Sequence, residues 1–308
     1  MRRLRLLALA PSLALLAACH AVVLSPAGEV AARQRDLLVE STALMLIVIV
    51  PVMALTILFA WRYRQSNTQA RYEPDWEHSM PIELVVWAAP LLIIICLGAL
   101  TWVGTHLLDP YRPLAAAALQ PSPAGSGASR AQGTEPLEVD VVALDWKWLF
   151  IYPQYGIATV NELAAPVDRE SDFRITSATV MNSFYIPALA GQIYAMAGMQ
   201  TRLHAVANEV GQYEGFSANF SGAGFSGMHF EFHAMTADTF AHWLASAKAA
   251  GGALTRAAYL ELARPSEDVP ARRYAAVAPG LYRSILEMCV APASPCSGAA
   301  TRHASMEP

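Results

Sequence analysis

Two long apolar runs stand out from the mixed pattern of hydrophobic and polar positions. Residues Ser41 to Trp61 and Leu84 to Val103 contain no charged side chain. Because an α-helix rises about 1.5 Å per residue, about 20 residues cross the roughly 30 Å hydrocarbon core of a membrane. The pattern therefore predicts a transmembrane hairpin, with helices at 41–61 and 84–104 joined by a loop at 62–83.

From residue 137 the periodicity changes to alternation. Leu137 to Val141 alternates apolar and polar side chains, as a half-buried strand does. Six similar runs follow, separated by Gly, Pro or Asn, and together they predict a β-sandwich or barrel over 137–251. The predicted strands are 137–141, 146–152, 156–161, 173–181, 200–207, 213–220 and 228–234.

The last part of the chain is predicted to be helical. Thr236 is a suitable N-cap for a short amphipathic helix that runs through Lys248, and Gly251 and Gly252 end it. We interpret 252–308 as a helical arm with a disordered tail. The helices of this arm are predicted at 257–263 and 281–290.

The N-terminus has the order of a bacterial secretion signal over 1–18. Three arginines precede a short apolar run, and Leu-Ala-Ala then stands before Cys19. This end resembles a lipobox, in which the thiol is acylated and the chain is cut just before it; the alternative is an ordinary signal with a chance cysteine. Export through the signal places 19–40 and everything after 105 on the periplasmic side of the inner membrane, and the loop 62–83 in the cytoplasm.

Composition supports a membrane-anchored α+β protein. Hydrophobic residues make up 55% of the 308 residues and charged residues only 15%, against about 25% in typical soluble domains. These values exclude a disordered chain and disfavour a purely soluble one. The formal charge of −4 gives no basic surface for nucleic acid. Residues 105–136 are rich in Ala, Pro, Gly and Ser and predict a linker.

Three segments resemble subunit II of the haem-copper terminal oxidases: 145–152 (DWKWLFIY), 180–187 (VMNSFYIP) and 217–228 (SANFSGAGFSGM). The resemblance implies a cupredoxin fold for 137–251. In cytochrome c oxidases of this family, the corresponding loop binds a dinuclear copper centre. Its ligands there are two cysteines, a histidine, a methionine and a glutamate carbonyl, and a second histidine comes from the preceding segment.

The resemblance places other residues at those ligand positions. A mixed-valence copper pair needs thiolate and imidazole donors, whereas hydroxyl groups stay protonated and a phenyl ring has no lone pair. The resemblance therefore implies no metal, cofactor or catalytic site in this chain. The degenerate positions are Ser217 and Ser221 for the cysteines, Asn182 and Phe225 for the histidines, Asn219 for the glutamate, and Met228, which keeps its type.

These losses, together with the segment 192–201 (QIYAMAGMQT), resemble the quinol-oxidising branch, the cytochrome bo-type ubiquinol oxidases. The resemblance implies a non-redox structural subunit of a proton-pumping oxidase. Ubiquinol then delivers electrons to subunit I, which holds haems and a copper. Subunits III and IV and membrane lipid are the other implied partners, and no cytochrome c is expected.

Two alternatives remain at this stage. One is a copper-containing cytochrome c oxidase subunit II, for which an acidic surface could attract a cationic cytochrome. Residues 137–251 carry 11 acidic and 5 basic side chains, but solubility is the simpler explanation of that excess. The other is a free-standing lipoprotein that binds a ligand or acts as a scaffold.

Several further residue groups have a structural interpretation beside a functional one. His229, Glu231 and His233 alternate on a predicted strand and, with His242, suggest a metal site, although a solvated strand face is the simpler interpretation. Trp146 and Trp148 suggest an electron path or, more simply, packing.

The roles of three cysteines and one acidic residue also have more than one interpretation. Cys289 and Cys296 can form a disulfide in an exported domain, although spacing does not decide it. Cys96 in the second span is expected to be buried. Glu83 borders that span, where it either reaches the membrane interface or lines a quinone or proton route.

Overall fold

The structure is a computed structural model that describes residues 21–71, 73–114, 135–291 and 296. The chain divides into two compact units, one made of 1–32 and 110–308 and the other of 33–109. The signal sequence with Cys19, most of the linker and most of the C-terminal tail lie outside the described residues.

Two long helices account for the apolar runs. Helix α1 spans Glu29–Arg62 and helix α2 spans Met80–Leu107, and both are long and apolar enough to cross a membrane. Hydropathy locates the apolar part of a helix and not its ends, so α1 begins well before Ser41. The assignment of 105–107 to the linker was wrong, because α2 continues there and the Thr105 hydroxyl donates to the carbonyl of Thr101 over 2.8 Å.

The β-rich part of the other unit, residues 135–291, is called the β domain below. Its strands form where alternating side chains bury one or both faces of the backbone ribbon. The strands are β1 Leu137–Leu144, β2 Lys147–Tyr152, β3 Ile157–Val160, β4 Glu162–Pro166, β5 Glu170–Ser177, β6 Asn182–Tyr185, β7 Ile193–Ala195, β8 Thr201–Val206, β9 Gly211–Ser217, β10 His229–Met235, β11 Ala253–Leu254, β12 Arg272–Tyr274 and β13 Ala276–Val277.

These strands form two main sheets and one small one. The first has the order β12-β3-β2-β1-β5-β8, the second β4-β10-β9-β6-β7, and β11 pairs with β13. Strand β1 is antiparallel to β2 and parallel to β5, so that Val141 lies opposite both Phe150 and Ile175. The two larger sheets face each other as a sandwich, which confirms the predicted fold class.

An aromatic cluster fills the space between the two sheets. Trp148 and Phe150 on β2, Phe173 on β5, Phe184 on β6 and Phe230 on β10 are all at most 3% exposed. The ring centroids of Trp148 and Phe184 are 5.4 Å apart, and those of Phe150 and Phe230 are 5.0 Å apart. Each such ring buries about 150–250 Å². Trp148 is therefore a core residue, as the simpler of its two interpretations states.

Within residues 137–251, three strands, β4, β6 and β7, are absent from the sequence prediction. Strand β6 opens with Asn182 and Ser183, and β4 opens with Glu162, so neither shows the expected apolar pattern. These polar side chains are nevertheless buried, because they find hydrogen-bond partners on distant elements. A pattern that assigns buried positions only to apolar residues misses such strands.

The C-terminal arm is helical but also extends a sheet. Helix α3 begins after Thr236, whose hydroxyl accepts from the backbone N–H of Thr239 over 3.3 Å, which confirms the predicted cap. The predicted helical arm is confirmed, and its strand β12 also adds to the edge of the first sheet, with Tyr274 opposite Ala158. The helices are α3 Ala237–Ala249, α4 Arg256–Leu262 and α5 Leu281–Leu286.

The arm has its own apolar contacts with the first sheet. Its side chains cover the outer face of β1, β2 and β3, where residues such as Val142 and Leu149 are fully buried. Cys289 and Cys296 form a disulfide beyond α5. Cys96, by contrast, is exposed on α2, so its expected burial was wrong, because no other part of the described chain covers that face.

Candidate functional site in the loop between β9 and β10

The six degenerate copper positions are called the loop site: Asn182, Ser217, Asn219, Ser221, Phe225 and Met228. Five of them lie on the end of β9 or the connection to β10, which contains a 3₁₀ turn at Ala223–Gly227. The sixth opens β6, which pairs with β9. The structure thus brings together residues that are 46 positions apart at the extremes.

A neutral hydrogen-bond network occupies one side of the loop site. Asn182 and Ser217 are buried, at 1% and 3% exposure. The Ser217 hydroxyl lies 3.0 Å from Asn182 Oδ1 and 3.2 Å from the carbonyl of Asn219. Asn182 Nδ2 donates to the carbonyl of Val180 over 3.1 Å, and Asn219 Nδ2 donates to Met181 over 3.2 Å. The polar atoms therefore satisfy one another and the backbone.

The other side of the loop site is mainly apolar. Met228 is fully buried, and its sulfur lies 4.0 Å from the Ser221 hydroxyl, at the limit of a weak hydrogen bond. The Phe225 ring packs edge-on against Phe220, with centroids 5.6 Å apart. Phe220 itself is 75% exposed. Phe225 therefore makes an aromatic contact and offers no donor atom to the network.

The donor set of the loop site does not fit a dinuclear copper centre. It offers hydroxyl and amide groups, which are hard and weak ligands for copper, and one thioether. The Ser217 hydroxyl is already engaged with an amide oxygen. A pair of coppers needs bridging thiolates and imidazoles, and no Cys or His stands at any of the six positions.

Trp146 and a glycine hold the loop in place. The indole Nε1 of Trp146 donates to the carbonyl of Ser221 over 3.1 Å. Gly224 lies against the face of the same ring, and a Cβ there would be 2.6 Å from ring atoms and 2.7 Å from Cγ of Glu267. A side chain at 224 has no room, so this position requires glycine.

The arm supports the loop through a buried lysine. Lys147 is 1% exposed, and its ammonium donates to the carbonyl of Arg264 over 2.8 Å and to the Ser266 hydroxyl over 2.7 Å. Burial lowers the pKa of Lys147, and Asp145 offsets part of that effect. The segment that Lys147 binds leads directly to Glu267, which backs Gly224.

A second polar cluster, the arm junction, joins the arm to the second sheet: Glu162, Trp243 and Arg273. Arg273 binds Glu162 with two hydrogen bonds, from Nε over 2.8 Å and from Nη2 over 2.5 Å. The indole of Trp243 donates to the same carboxylate over 2.8 Å. Burial raises the pKa of Glu162, but the hydrogen bonds from Arg273 and Trp243 outweigh it and the net pKa is lowered.

The histidine-rich strand is a partly solvated face. His229, Glu231 and His233 share one side of β10, and the side chain of Glu231 is 74% exposed. His229 Nδ1 pairs with Glu214 at 2.7 Å, while His242 is exposed on α3. These side chains are therefore spread over a surface, as the simpler interpretation states.

Among the described residues, one group of potential metal-ligating side chains lies close together: Glu287, Cys289 and Cys296. Both sulfurs are used in the disulfide, and a disulfide sulfur is not a thiolate ligand. At the N-terminal end of α2, Glu83 Oε1 lies 2.6 Å from Nδ1 of His78 and accepts from the N–H of Ser79 over 3.4 Å.

Comparison with known proteins gives the family. The family model described as COX Aromatic Rich Motif matches residues 248–293, from the end of α3 through most of the described arm. "Cytochrome bo(3) ubiquinol oxidase subunit 2" of Pseudomonas aeruginosa is 50% identical over 283 residues, covering 92% of this chain and 80% of that protein. The chain belongs to the ubiquinol oxidase subunit 2 family.

A second ubiquinol oxidase relative agrees with this assignment, and one solved structure is reported beside it. "Ubiquinol oxidase subunit 2" of Acetobacter aceti is 50% identical and covers 88% of this chain and 84% of its own length. The periplasmic domain of subunit II of cytochrome oxidase (CoxB) of Bradyrhizobium japonicum is 22% identical, with a TM-score of 0.36, over 38% of this chain and 96% of that one. The ubiquinol oxidase family is thus favoured over the cytochrome c oxidase alternative.

Proposed function

We propose that this chain is the non-redox subunit II of a proton-pumping ubiquinol oxidase. The observation that carries the proposal is the loop site, where hydroxyl, amide and phenyl groups stand at the positions of the copper ligands. None of these groups changes oxidation state at physiological potentials. Electrons from ubiquinol therefore reach the haem-bearing subunit I without passing through the β domain.

The cofactors and partners follow from that route. The haems and a copper belong to subunit I, which reduces oxygen to water. The two apolar helices of this chain pack on subunit I within the membrane, where charge-free helices of this length are stable. The β domain covers the exported face of the complex, and subunits III and IV complete it.

Acylation of Cys19 is the proposed second membrane attachment. Support comes from the basic, apolar and small-residue order of the first 18 residues. Lipidation and inner-membrane location are tested by mass spectrometry of the mature chain from the inner-membrane fraction. An N-terminal peptide that starts at Cys19 and carries acyl mass supports the proposal, and an unmodified peptide or another start contradicts it.

The experiment on function uses the purified oxidase complex that contains this chain. We expect turnover with ubiquinol, none with reduced cytochrome c, and no electron paramagnetic resonance signal of a mixed-valence copper pair. The Ser217→Ala variant is expected to keep the ubiquinol turnover of the unmodified complex. Turnover with reduced cytochrome c that disappears in that variant would overturn the proposal.

A further inference from the structure

Two short chain segments border the apolar helices and belong to the same compact unit as the β domain. Residues 1–32 and 110–308 form that unit. Residues 27–31, called the clasp segment, contain the start of α1. Residues 110–114, called the exit segment, follow the end of α2. Both segments form hydrogen bonds with the β domain, although they are far from it along the chain.

The clasp segment is bound to the turn that follows β6. The backbone N–H groups of Ala27 and Gly28 both donate to the carbonyl of Ala188, over 2.8 and 3.0 Å. The N–H of Ala31, in the first turn of α1, donates to the carbonyl of Leu189 over 3.3 Å. The first turn of a helix leaves its backbone N–H groups without partners inside the helix. The β domain therefore supplies the acceptors at the start of α1.

The clasp segment also lies against an edge of the first sheet. Strand β8 is the last strand at one end of that sheet. Just beyond it, the N–H of Asn208 donates to the carbonyl of Ala27 over 2.8 Å, and Gly28 forms an antiparallel bridge with Ala207. Proteins usually cover such an edge, because its free backbone groups pair readily with other chains. The N-terminal part of this chain covers it here.

The exit segment lies on the same edge, a few residues earlier in the strand. The N–H of His204 donates to the carbonyl of Pro110 over 3.2 Å. The N–H of Leu114 donates to Oε1 of Glu170, on the neighbouring strand β5, over 2.8 Å. Orientation along a strand repeats every two residues, so His204 and Asn208 present their N–H groups on the same side. One edge therefore receives the chain from before α1 and from after α2.

The close fit of the clasp segment requires glycine at position 28. A Cβ on Gly28 would lie 2.5 Å from the carbonyl oxygen of Leu189 and 2.9 Å from that of Val206. Both contacts are with backbone atoms, which cannot turn aside as the end of a flexible side chain can. Ala27 and Ala31 are each only 4% exposed. A side chain at position 28 would therefore displace the clasp segment from the β domain.

These contacts change the expected role of the linker. Its central part, residues 115–134, joins the exit segment to the β domain. The exit segment and the β domain are already in contact through Pro110 and Leu114. The clasp segment adds a second contact, and it is more than 100 residues before the first strand of the domain. The linker is thus one of three connections between the β domain and the chain around the helices.

We propose that the edge of β8 and the turn at 186–190 form a docking surface for the clasp and exit segments, which holds the β domain to them without the linker. The occupant of this surface is the chain itself, on both sides of the apolar helices. Cutting the linker then does not release the domain. The proposal concerns attachment alone and does not depend on the route that electrons take.

Cleavage of the linker in the purified full chain tests this proposal. A protease site that replaces residues 120–125 allows the chain to be cut in detergent. Gel filtration then shows whether the fragment with the two apolar helices and the fragment with the β domain elute together. We expect the two fragments to stay together after cutting. Their separation in the otherwise unmodified chain would overturn the proposal.

Two glycine variants show whether the docking surface holds the fragments. Gly28→Val is expected to weaken the association of the cut fragments about a hundredfold, because the clasp segment loses its backbone hydrogen bonds and each contributes a factor of roughly 2–10 to the equilibrium. Gly98→Val is the control, since nothing lies within 4 Å of its Cβ position, and it should leave the association unchanged. Fragments of Gly28→Val that bind as tightly as those of Gly98→Val would also overturn the proposal.

Hydrogen–deuterium exchange of the uncut chain separates loss of the clasp from loss of the fold. In Gly28→Val, the amide of Asn208 should exchange at least about tenfold faster, because its acceptor on Ala27 has moved. The amide of Asn161, which donates to the carbonyl of Trp148 over 2.9 Å inside the β domain, should keep its protection. If both amides lose protection, the variant is unfolded, and the cut chain with Gly28 intact decides the outcome.

Discussion

The loop site and the arm junction solve the same problem in different ways. Both bury polar side chains of the second sheet, on its edge strand β4 in the arm junction and on its inner strands β6 and β9 in the loop site. The loop site does so with neutral groups such as Asn182 and Ser217, whose partners are nearby amide and carbonyl groups. The arm junction buries a full charge on Glu162 and needs Arg273 from 111 residues away to balance it.

This difference predicts that substitutions in the two clusters change the stability of the protein by different amounts. A neutral hydrogen bond contributes about 0.5–1.5 kcal/mol net, and its loss leaves small dipoles that the backbone can partly satisfy. Removing one partner of a buried ion pair leaves an uncompensated charge and costs about 3–5 kcal/mol. We therefore expect the loop site to tolerate substitution better than the arm junction.

Removing the arginine of the arm junction is the strongest test of this contrast. Arg273→Ala is expected to lower the free energy of unfolding by about 3 kcal/mol, because it leaves the buried Glu162 carboxylate without its cationic partner. Denaturant unfolding of the purified full chain in detergent measures it. Arg272→Ala, an exposed neighbour on the same strand, is the control, with an expected change of less than about 0.5 kcal/mol. Equal losses of unfolding free energy in Arg273→Ala and Arg272→Ala would contradict the special role of the arm junction.

Acid should weaken the arm junction and not the loop site. The folded pKa of Glu162 is lowered from 4.5, so its contribution to stability is present above pH 4.5 and is lost as the pH falls through the folded value. Glu162→Gln removes this contribution to the pH dependence. The free energy of unfolding is measured for the wild type and the variant between pH 6 and pH 3. The difference between the two should shrink as the pH falls, and a constant difference would contradict the lowered pKa of Glu162.

Packing against Trp146 gives an intermediate effect within the loop. Gly224→Ala places a Cβ 2.6 Å from the indole ring, and such overpacking costs about 1–3 kcal/mol. Gly251→Ala is not a suitable control because φ at that residue is positive. Gly98→Ala is suitable, since nothing lies within 4 Å of its Cβ position. Thermal unfolding compares Gly224→Ala with Gly98→Ala. An unshifted midpoint for Gly224→Ala would mean that the loop moves to make room for the added Cβ.

The neutral hydrogen-bond network of the loop site should contribute less to stability than the arm junction. Ser217→Ala removes one hydroxyl that contacts Asn182 and Asn219, with an expected loss of about 1 kcal/mol. The loss should be the same at pH 5 and pH 8, since no charge is involved. A difference between the two pH values would show that the network contains an ionised group.

The smallest effect is expected at Ser221. Its hydroxyl reaches only the Met228 sulfur, at 4.0 Å, so Ser221→Ala should change stability by less than about 0.5 kcal/mol. Chemical denaturation of this variant beside Ser217→Ala compares the two former cysteine positions directly. A larger loss for Ser221→Ala than for Ser217→Ala would reverse the order derived from the contacts.

Much of the fold was predictable because its signals are local. Charge-free runs identified both apolar helices, and alternation found β1, β2 and β8 within a few residues. Strands β4 and β6 were missed because they open with Glu162 and Asn182, whose burial depends on partners far along the chain. The short strands of the arm were missed for the same reason, since β12 pairs with β3 and β11 pairs with β13, far along the chain.

For the candidate site, too, the sequence named the residues but not all of their contacts. The resemblance to subunit II named the six loop-site positions, and the structure places Asn182, Ser217 and Asn219 in one network. It does not bring Phe225 into that network, because the ring packs on Phe220 instead. The arm junction had no sequence signal, since neither Glu162 nor Arg273 lies in a predicted strand.

The sequence by itself determined the donor atoms at the loop site and the helices that are apolar enough to cross a membrane. Donor atoms and hydropathy are properties of the side chains, so the absence of thiolate and imidazole at the loop site needs no coordinates. Only the tertiary structure decided which charges are buried together. Pairs such as Glu162 with Arg273, or His204 with Glu170, depend on strand pairing between distant segments, and burial then fixes how strongly those charges interact.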